Sequence, residues 1–357
     1  MRRITRRAGA LGIMGVTVLG VGLLFRPQQP TLADLEGLAG TRGAIISLAG
    51  DTLDIRTAGT QSTSALKSSE SAQPEGACVD AFEVGSISKA MTGLVLADAL
   101  ERGELHLDTP IPDHPGLTLR DVVTHHSGLP RSGSGLKHTA RLMLSSITGA
   151  NPYDPTPGAL AQQLAELDLN EVQPGTFRYS NLGAASTGAL FPRYLGGDYA
   201  TVMQQRLFAP LGMHDTFVQT LDHTVCPGFS GAGLAQDPWV MGDYSPAGGI
   251  VSTPEDMGRL LRALLAGTAP GMSALEPLAP STPGEQIGMF WMLTPQHTAA
   301  DSHTAPTPLA WHDGATAGYG SYLGIDRTRG RGVVVLSNSP ADHTARGEKL
   351  LREGHSS

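Results

Sequence analysis

A serine and a lysine three residues apart, Ser86 and Lys89, are the residues of this chain best suited to nucleophilic chemistry. Serine is a weak nucleophile until an adjacent base takes its proton. Lysine can be that base when its surroundings lower its pKa, whereas arginine stays protonated. The chain has four lysines and 21 arginines, so a lysine at this offset from a serine is informative. The pair predicts a nucleophile with its own base.

The same spacing occurs at Ser64 and Lys67 and at Ser134 and Lys137, in polar stretches that we interpret as loops. Only Ser86 opens a helical pattern, in which apolar residues recur at Ile87, Ala90, Met91, Leu94, Val95 and Leu100 before Gly103. Residues one turn apart share a helix face, and free N–H groups at a helix start favour the negative charge of acyl transfer. The helix therefore favours Ser86, although spacing alone does not.

Two further tracts carry groups of use to such a nucleophile. Pro174 to Asn181 contains Tyr179 and Asn181, a phenol that can exchange a proton and an amide that can orient a substrate carbonyl. Trp311 to Gly318 enters a Gly-rich strand, along which a substrate backbone could pair as an added strand. Each tract also has a purely structural interpretation, and it is their combination that points to a catalytic site.

The order Ser-x-x-Lys, Tyr-x-Asn, His-x-Gly resembles the serine β-lactamase and DD-peptidase superfamily, and most of all its class C β-lactamases and soluble DD-carboxypeptidases. Four other tracts are similar to that branch: Phe82 to Ser86, Thr124 to Pro130, Ala209 to Met213 and Ser245 to Gly249. The resemblance covers roughly residues 40 to 340. It implies an α+β fold, in which an antiparallel sheet flanked by helices joins a helical lobe, with the site between them.

The resemblance also implies a role for each motif residue. Ser86 is expected to be the acylated nucleophile, Lys89 and Tyr179 to share proton transfer, and Asn181 to hold the substrate amide. It implies neither cofactor nor metal. The acyl group is expected to come from a peptide, an ester or a lactam, as in a β-lactamase-related hydrolase or a D-Ala-D-Ala-type carboxypeptidase. An esterase of the same fold and a penicillin-binding sensor without turnover are the alternatives.

The third tract departs from the usual pattern of class C β-lactamases. The resemblance places the oxyanion hole at the backbone N–H groups of Ser86 and Ala315, after His312 and Gly314. Where those enzymes usually carry Lys-Thr-Gly, this chain has His-Asp-Gly, so a permanent cation is replaced by a group expected to titrate near neutrality. This histidine resembles certain DD-peptidases, D-amino-acid peptidases and esterase-like relatives.

Two arginines, Arg178 and Arg331, are candidates to replace the missing cation. The chain lacks a Ser-Asp-Asn element and a Gly-x-Ser-x-Gly element, and the latter absence disfavours an α/β-hydrolase. Lone histidines are more often structural, and the single adjacent pair, His125 and His126, has no metal-site spacing, so no metal site is predicted.

The first 33 residues read as an export leader or a membrane anchor. Four arginines precede an uncharged stretch of 18 residues, from Ala8 to Phe25. Residues 1–33 hold five arginines and no acid, so their removal takes the formal charge from −8 to −13. An acidic domain argues against nucleic acid and anionic lipid as partners of the folded part. A small-molecule or peptide substrate fits better, and the oligomeric state stays open.

The rest of the chain is interpreted as one catalytic domain, 34–345, with a helical lobe at about 105–245 and a C-terminal tail, 346–357. Strands are predicted at 43–49 and 52–58 around a Gly-Asp turn, and at 318–325 and 332–337 near the end. Helices are predicted at 159–169, 184–195 and 199–211, and after Thr253. The two cysteines, Cys78 and Cys226, have no spacing pattern and are expected to be free rather than paired.

Overall fold

A computed structural model describes residues 42–59, 79, 81–112, 114, 116–132, 136–167, 172, 174–296 and 307–353. The proposed leader, 1–33, lies outside these residues, as do the pair Ser64 and Lys67, and Ser134. Lys137 belongs to a helix and not to the loop that the sequence suggested. Within the described part, no helix combines the length and the apolar character that crossing a bilayer requires.

The largest element is an eight-stranded sheet in which every neighbouring pair is antiparallel. The strands of the described chain are β1 (Arg42–Ala49), β2 (Thr52–Gly59), β3 (Phe82–Glu83), β4 (Phe217–Val218), β5 (Gly228–Phe229), β6 (Ala235–Gln236), β7 (Ile250–Ser252), β8 (Ala279–Pro280), β9 (Gln286–Ile287), β10 (Met292–Thr294), β11 (Leu309–Ala315), β12 (Gly320–Asp326) and β13 (Arg331–Ser337). The sheet order is β2-β1-β13-β12-β11-β10-β9-β8, so strands from both ends of the chain meet as β1 and β13. Small sheets β3-β7-β4 and β5-β6 lie apart.

The helices are α1 (Ile87–Glu101), α2 (Leu119–Val123), α3 (Leu136–Thr148), α4 (Ala159–Ala165), α5 (Asn181–Ser186), α6 (Tyr199–Met203), α7 (Ser245–Gly248), α8 (Pro254–Ala266) and α9 (Thr344–Glu353). Helix α5 continues as a 3-10 turn at Thr187–Ala189 and a π-helical turn at Phe191–Leu195. A π-helical turn, Gln204–Phe208, likewise follows α6. Further 3-10 turns lie at Gly242–Tyr244 and Met272–Leu275.

Alternation along the strands divides the apolar side chains between the two faces of the sheet. In β1, Ala44, Ile46 and Leu48 enter the main core, which α1 and α8 share, whereas Ile45 joins a smaller cluster with Tyr322 on the other face. Helix α9 covers that second face through Leu351. The predicted antiparallel sheet with helices on its faces is confirmed.

Helix α1 is unusual because its residues from Ile87 to Ala99 are all buried, whichever side of the helix they face. A helix that is buried all round lies in the interior of a protein. Gly93 allows a close approach here, since a Cβ at that position would lie 2.1 Å from the carbonyl oxygen of Met289. The helix that begins after Ser86 is therefore the central element of the core.

Several sequence boundaries change in the structure. The predicted helical lobe reached residue 245, but the segment 209–241 contains β4, β5 and β6 and no helix. The predicted tail belongs to α9 as far as Glu353 and packs on β12 and β13. The His-Asp-Gly tract is itself a strand, β11, where the sequence suggested only an approach to one. Its polar and small residues concealed the strand, since β-propensity depends on context.

The expectation of free cysteines is wrong for Cys226, which is disulfide-bonded. Cys78 lies outside the described residues. Val79 forms a parallel bridge with Val225, with hydrogen bonds from Val79 N to Thr224 O (3.1 Å) and from Cys226 N to Val79 O (3.0 Å). These two segments are far apart in the sequence, so the sequence alone gave no indication that the fold would bring them into contact.

Candidate active site

Ser86 is the N-cap of α1, and the short strand β3 and Gly85 lead into it. Gly85 has a φ of +50°, a conformation that other residues adopt only with strain. The Ser86 side chain makes no capping hydrogen bond, so its hydroxyl is available to other groups. Ser86 is partly exposed, whereas its neighbours on both sides are buried. The fold therefore presents one hydroxyl to solvent from an otherwise buried segment.

Lys89 lies one turn further along α1 with its side chain fully buried. Its Nζ is 2.9 Å from Ser86 Oγ and donates a hydrogen bond to the carbonyl oxygen of Ala247, at 2.6 Å, in α7. Burial holds the pKa of Lys89 well below its ordinary value; Asp313 opposes this effect and Arg131 adds to it. The neutral amine is thereby favoured, which is the form that can accept a proton from serine.

Tyr179 and Asn181 are held beside this pair by the loop 125–131. Ser180 between them donates from Oγ to Pro130 O (2.7 Å) and accepts from Gly183 N (2.8 Å), which caps α5. Asn181 N donates to Arg131 O at 2.8 Å. The Oδ1 atom of Asn181 is buried and has no hydrogen-bond partner among the described residues, so it can accept from a substrate N–H. The Tyr-x-Asn tract is thus locked by the loop that precedes it.

Tyr179 differs from its expected state. Burial raises its pKa well above the ordinary value for tyrosine, and a hydrogen bond with Ser86 opposes this shift only in part. The sequence suggested that an adjacent ammonium would make the phenol a base, but Lys89 is itself pushed towards the neutral form. With Nζ 5.0 Å from the ring centre, the two groups are both favoured as neutral species. Tyr179 is therefore suited to donate a proton and Lys89 to accept one.

His312 also differs from expectation. It is 1% exposed, and burial lowers its pKa to about 4, so it is neutral at pH 7 and does not titrate near neutrality. Its Nδ1 is 2.6 Å from the backbone oxygen of Asp313, which assigns the proton of the neutral ring to Nδ1. Nε2 is buried and lacks a partner among the described residues. His312 therefore supplies a lone pair where a lysine would supply a charge.

Two backbone N–H groups meet where the oxyanion hole was predicted. A Cβ on Gly314 would lie 3.0 Å from Ser86 N, and a Cβ on Gly85 would lie 2.7 Å from Ala315 N. The Gly314 Cβ would also lie 2.2 Å from Val84 O. Only glycine lets β11 approach the segment of Ser86 so closely, and this approach brings the backbone at Gly314 and Ala315 against the backbone at Gly85 and Ser86. Such paired donors suit a developing oxyanion.

In the described part of the chain, no side-chain hydrogen bond or ion pair joins either of the two suggested arginines to these residues. Arg331 donates from its guanidinium to the backbone oxygen of Arg352, and Arg178 is exposed. Instead, Arg131 lies with its Cζ 5.1 Å from the centre of the Tyr179 ring, and Asp313 stands beside His312. Arg131 directly follows the tract Thr124 to Pro130, so its place in the sequence was a usable signal.

Two other contributors were also missed. Ala247 acts through its carbonyl oxygen, a group that every residue has and that leaves no mark in a sequence. His125 was considered only as a metal ligand, yet its ring lies 4.4 Å from the Tyr179 ring and its Nδ1 accepts from Ser180 N at 3.3 Å. Burial lowers its pKa, which keeps it neutral as this contact requires. In the part of the chain that the structure describes, no group of three or more metal-binding side chains occurs.

Comparisons with known proteins agree with this geometry. The family model described as Beta-lactamase matches residues 80–354. A β-lactamase of Escherichia coli (strain K12) is 26% identical over 301 residues, which are 74% of this chain and 77% of that protein.

Two solved structures show the same fold. The D-alanine carboxypeptidase AmpC of Burkholderia cenocepacia superimposes with a TM-score of 0.67 at 21% identity, over 90% of this chain and 95% of that one. A D-stereospecific amidohydrolase of Streptomyces sp. gives a TM-score of 0.65 at 19% identity, over 91% of this chain and 98% of that one. At these identities the likeness concerns the fold.

Proposed function

The chain belongs to the beta-lactamase family and is a serine hydrolase, and on that premise we propose that Ser86 is its acylated nucleophile. The observation that carries the proposal is the 2.9 Å contact between Lys89 Nζ and Ser86 Oγ, made by an amine that burial favours as neutral. A poised base within hydrogen-bond reach of a hydroxyl is what nucleophilic serine catalysis requires.

The first step follows from the neutral forms of Lys89 and Tyr179. As Ser86 Oγ bonds to the substrate carbonyl carbon, Lys89 takes the hydroxyl proton, and the oxyanion accepts hydrogen bonds from the amides of Ser86 and Ala315. Tyr179 then gives its proton to the leaving amine or alkoxide, and the Lys89 ammonium returns a proton to Tyr179. The carbonyl reforms as the leaving group departs, which gives the acyl-enzyme with both side chains neutral again.

The second step releases the acyl group to water. Tyr179 has regained its proton, so Lys89 is again the available base, and it can take a proton from water as the water oxygen attacks the ester carbonyl. Ser86 Oγ leaves and recovers a proton from Lys89. Ser86 and Lys89 thus serve both halves of the reaction, and Tyr179 acts in the first. No additional carboxylate is needed in this scheme.

The substrate that we propose is a short peptide or amide of the D-amino-acid type, with a D-Ala-D-Ala-type carboxypeptidase as the nearest model. Its support is His312 on β11, because a histidine at this place resembles certain DD-peptidases and D-amino-acid peptidases and not the Lys-Thr-Gly pattern usual in class C β-lactamases. The structural neighbours named for D-alanine carboxypeptidase and D-stereospecific amidohydrolase activities have the same fold. An esterase of the same fold is the alternative.

Labelling with a fluorophosphonate or a fluorescent penicillin tests the nucleophile. We expect the intact protein to be labelled and Ser86→Ala to be blank. Ser145→Ala, a change at a buried serine on α3, is the control and keeps its label. Equal labelling of Ser86→Ala would contradict the assignment. Turnover of nitrocefin, a D-Ala-D-Ala peptide and a nitrophenyl ester then ranks the substrates. A stable adduct without product would instead indicate a sensor.

We also propose that the protein acts outside the cytoplasm. Its first 33 residues have the pattern of a leader or an anchor, and a disulfide at Cys226 suits an oxidising compartment. Cell fractionation followed by N-terminal mass determination tests the proposal. Recovery of the full-length chain only from the cytosol, with free thiols, would contradict it.

A further inference from the structure

Two opposite charges stand near the proposed site, Arg131 beside the Tyr179 ring and Asp313 beside His312, whose ring centre is 6.1 Å from that of Tyr179. Arg131 is exposed, with its Cζ 5.1 Å from the ring centre. Asp313 is on β11, and its side chain is 53% exposed. Both charges act on the pKa values of Lys89 and Tyr179, with opposite signs, so both lie close to the reacting groups.

Neither charge is neutralised by the protein. Over the described ranges, Arg131 has no ion pair, and the sole ionisable partner of Asp313 is His312, with its Nδ1 3.8 Å away. His312 is neutral at pH 7, so it does not offset the carboxylate. The two residues therefore offer a cation and an anion, both exposed and both available to a ligand.

Both charges are attached to fixed backbone. The carbonyl oxygen of Arg131 accepts from Asn181 N, the residue proposed to hold the substrate amide. The carbonyl oxygen of Asp313 is bound to His312 Nδ1, and Asp313 is paired in register with Tyr322 of β12. Guanidinium groups bind carboxylates through two parallel hydrogen bonds, and carboxylates bind ammonium groups. The backbone that carries both charges is therefore held in place next to the proposed site.

We propose that this pair of charges selects short peptides with a free ammonium group at one end and a carboxylate at the other. The carboxylate pairs with Arg131 and the ammonium with Asp313, while the amide between them lies at Ser86. A substrate with only a carboxylate is attracted by one residue and repelled by the other. This inference rests on the proposed acyl-enzyme function, of which it specifies the substrate class.

Four versions of one D-Ala-D-Ala dipeptide test the inference: free at both ends, N-acetylated, C-amidated, and capped at both ends. We expect the doubly free form to have the highest kcat/KM. Arg131 lowers the pKa of Lys89, so its variant is judged by the ratio of kcat/KM to that of the doubly capped form. Arg131→Gln should lower this ratio about fivefold for the two forms with a carboxylate and leave it unchanged for the C-amidated form. Asp313→Asn should do the same for the two forms with an ammonium. High salt should reduce both preferences because the charges are exposed.

Ratios between substrates remove a complication. Asp313 also raises the pKa of Lys89, so Asp313→Asn alters catalysis for all four dipeptides by one common factor. That factor cancels when the kcat/KM of each dipeptide is divided by the kcat/KM of the doubly capped form. Arg262→Gln on α8 and Asp51→Asn in the turn between β1 and β2 are changes of exposed charges outside the proposed site. They are the matched controls and should leave every ratio unchanged.

The outcomes separate the two levels of the proposal. Unchanged ratios in both variants, with normal fluorophosphonate labelling and turnover of a neutral nitrophenyl ester, would overturn the charge selection and leave the acyl-enzyme intact. A preference for the doubly capped dipeptide would overturn it as well. Absence of Ser86 labelling and of all turnover in the intact protein would overturn both.

Discussion

The close approach of β11 to the nucleophile makes Gly314 the position where one methyl group should have the largest effect on activity. A Cβ there would lie 2.2 Å from Val84 O, 2.4 Å from Ser321 Oγ and 3.0 Å from Ser86 N. Ordinary contacts begin near 3.4 Å. Two of these neighbours are backbone atoms and cannot rotate away, so β11 must move by about 1 Å from the nucleophile.

A displacement of that size separates the amide of Ala315 from that of Ser86. Loss of one oxyanion donor typically costs about 100- to 1000-fold in kcat, and a 1 Å misplacement costs about 100-fold. We therefore expect Gly314→Ala to lower kcat at least about 100-fold, with a smaller effect on KM. The strain also destabilises the fold by roughly 1–3 kcal/mol, as overpacking does.

Steady-state hydrolysis of a neutral nitrophenyl ester measures the loss, and circular dichroism melting shows whether the variant is folded. Gly332→Ala is the matched control, because it adds a methyl group to β13 of the same sheet against the side chains of Leu261 and Leu265. That variant should melt at a lower temperature and keep its kcat. If folded Gly314→Ala kept more than about a tenth of the wild-type kcat, the assignment of this oxyanion hole would be refuted.

Three further predictions concern titration and stability. Because Lys89 must be neutral to act, kcat/KM for a neutral ester should fall as pH drops through the lowered pKa of Lys89. Asp313 raises that pKa, so Asp313→Asn should move the fall to lower pH. A fall at the same pH in both proteins would contradict the role of Lys89. Burial raises the pKa of Glu83, so its contribution to folding is full below its unfolded pKa and is lost as pH rises through the folded pKa. The melting temperature of Glu83→Gln should therefore rise relative to that of the wild type as pH rises. A difference in melting temperature that does not change with pH would refute this. Thr253 caps α8 by accepting from Asp256 N at 3.3 Å, and Thr253→Ala should cost about 1 kcal/mol in urea unfolding, with no change in kcat.

The sequence predicted the outer parts of the fold and the helix that begins after Ser86 for the same reason: both have local signals. The hairpin of β1 and β2 follows from β-branched runs around Gly-Asp, and α8 follows from a Thr cap, a proline and two acids. The start of α1 at Ser86 follows from a helical period that begins there. In each case residues within one or two turns determine the element.

Features that depend on distant neighbours were not predictable in this way. The neutral state of His312 and the protonated state of Tyr179 both result from burial by segments far away in the chain. Cys226 is oxidised in a fold that brings Val79 beside Val225, more than a hundred residues apart. The role of Arg131 depends on its loop lying against Tyr179. A sequence lists these residues but not their surroundings.

The buried course of α1 has a consequence for how this enzyme fails when heated. Amides of a helix that is enclosed on all sides exchange with solvent only when the whole core opens, not through fraying of its first turn. The proposed nucleophile and its proposed base lie at the start of that helix, so this pair cannot melt ahead of the protein. Hydrogen exchange in α1 should therefore report global stability, and thermal inactivation should coincide with unfolding of the domain.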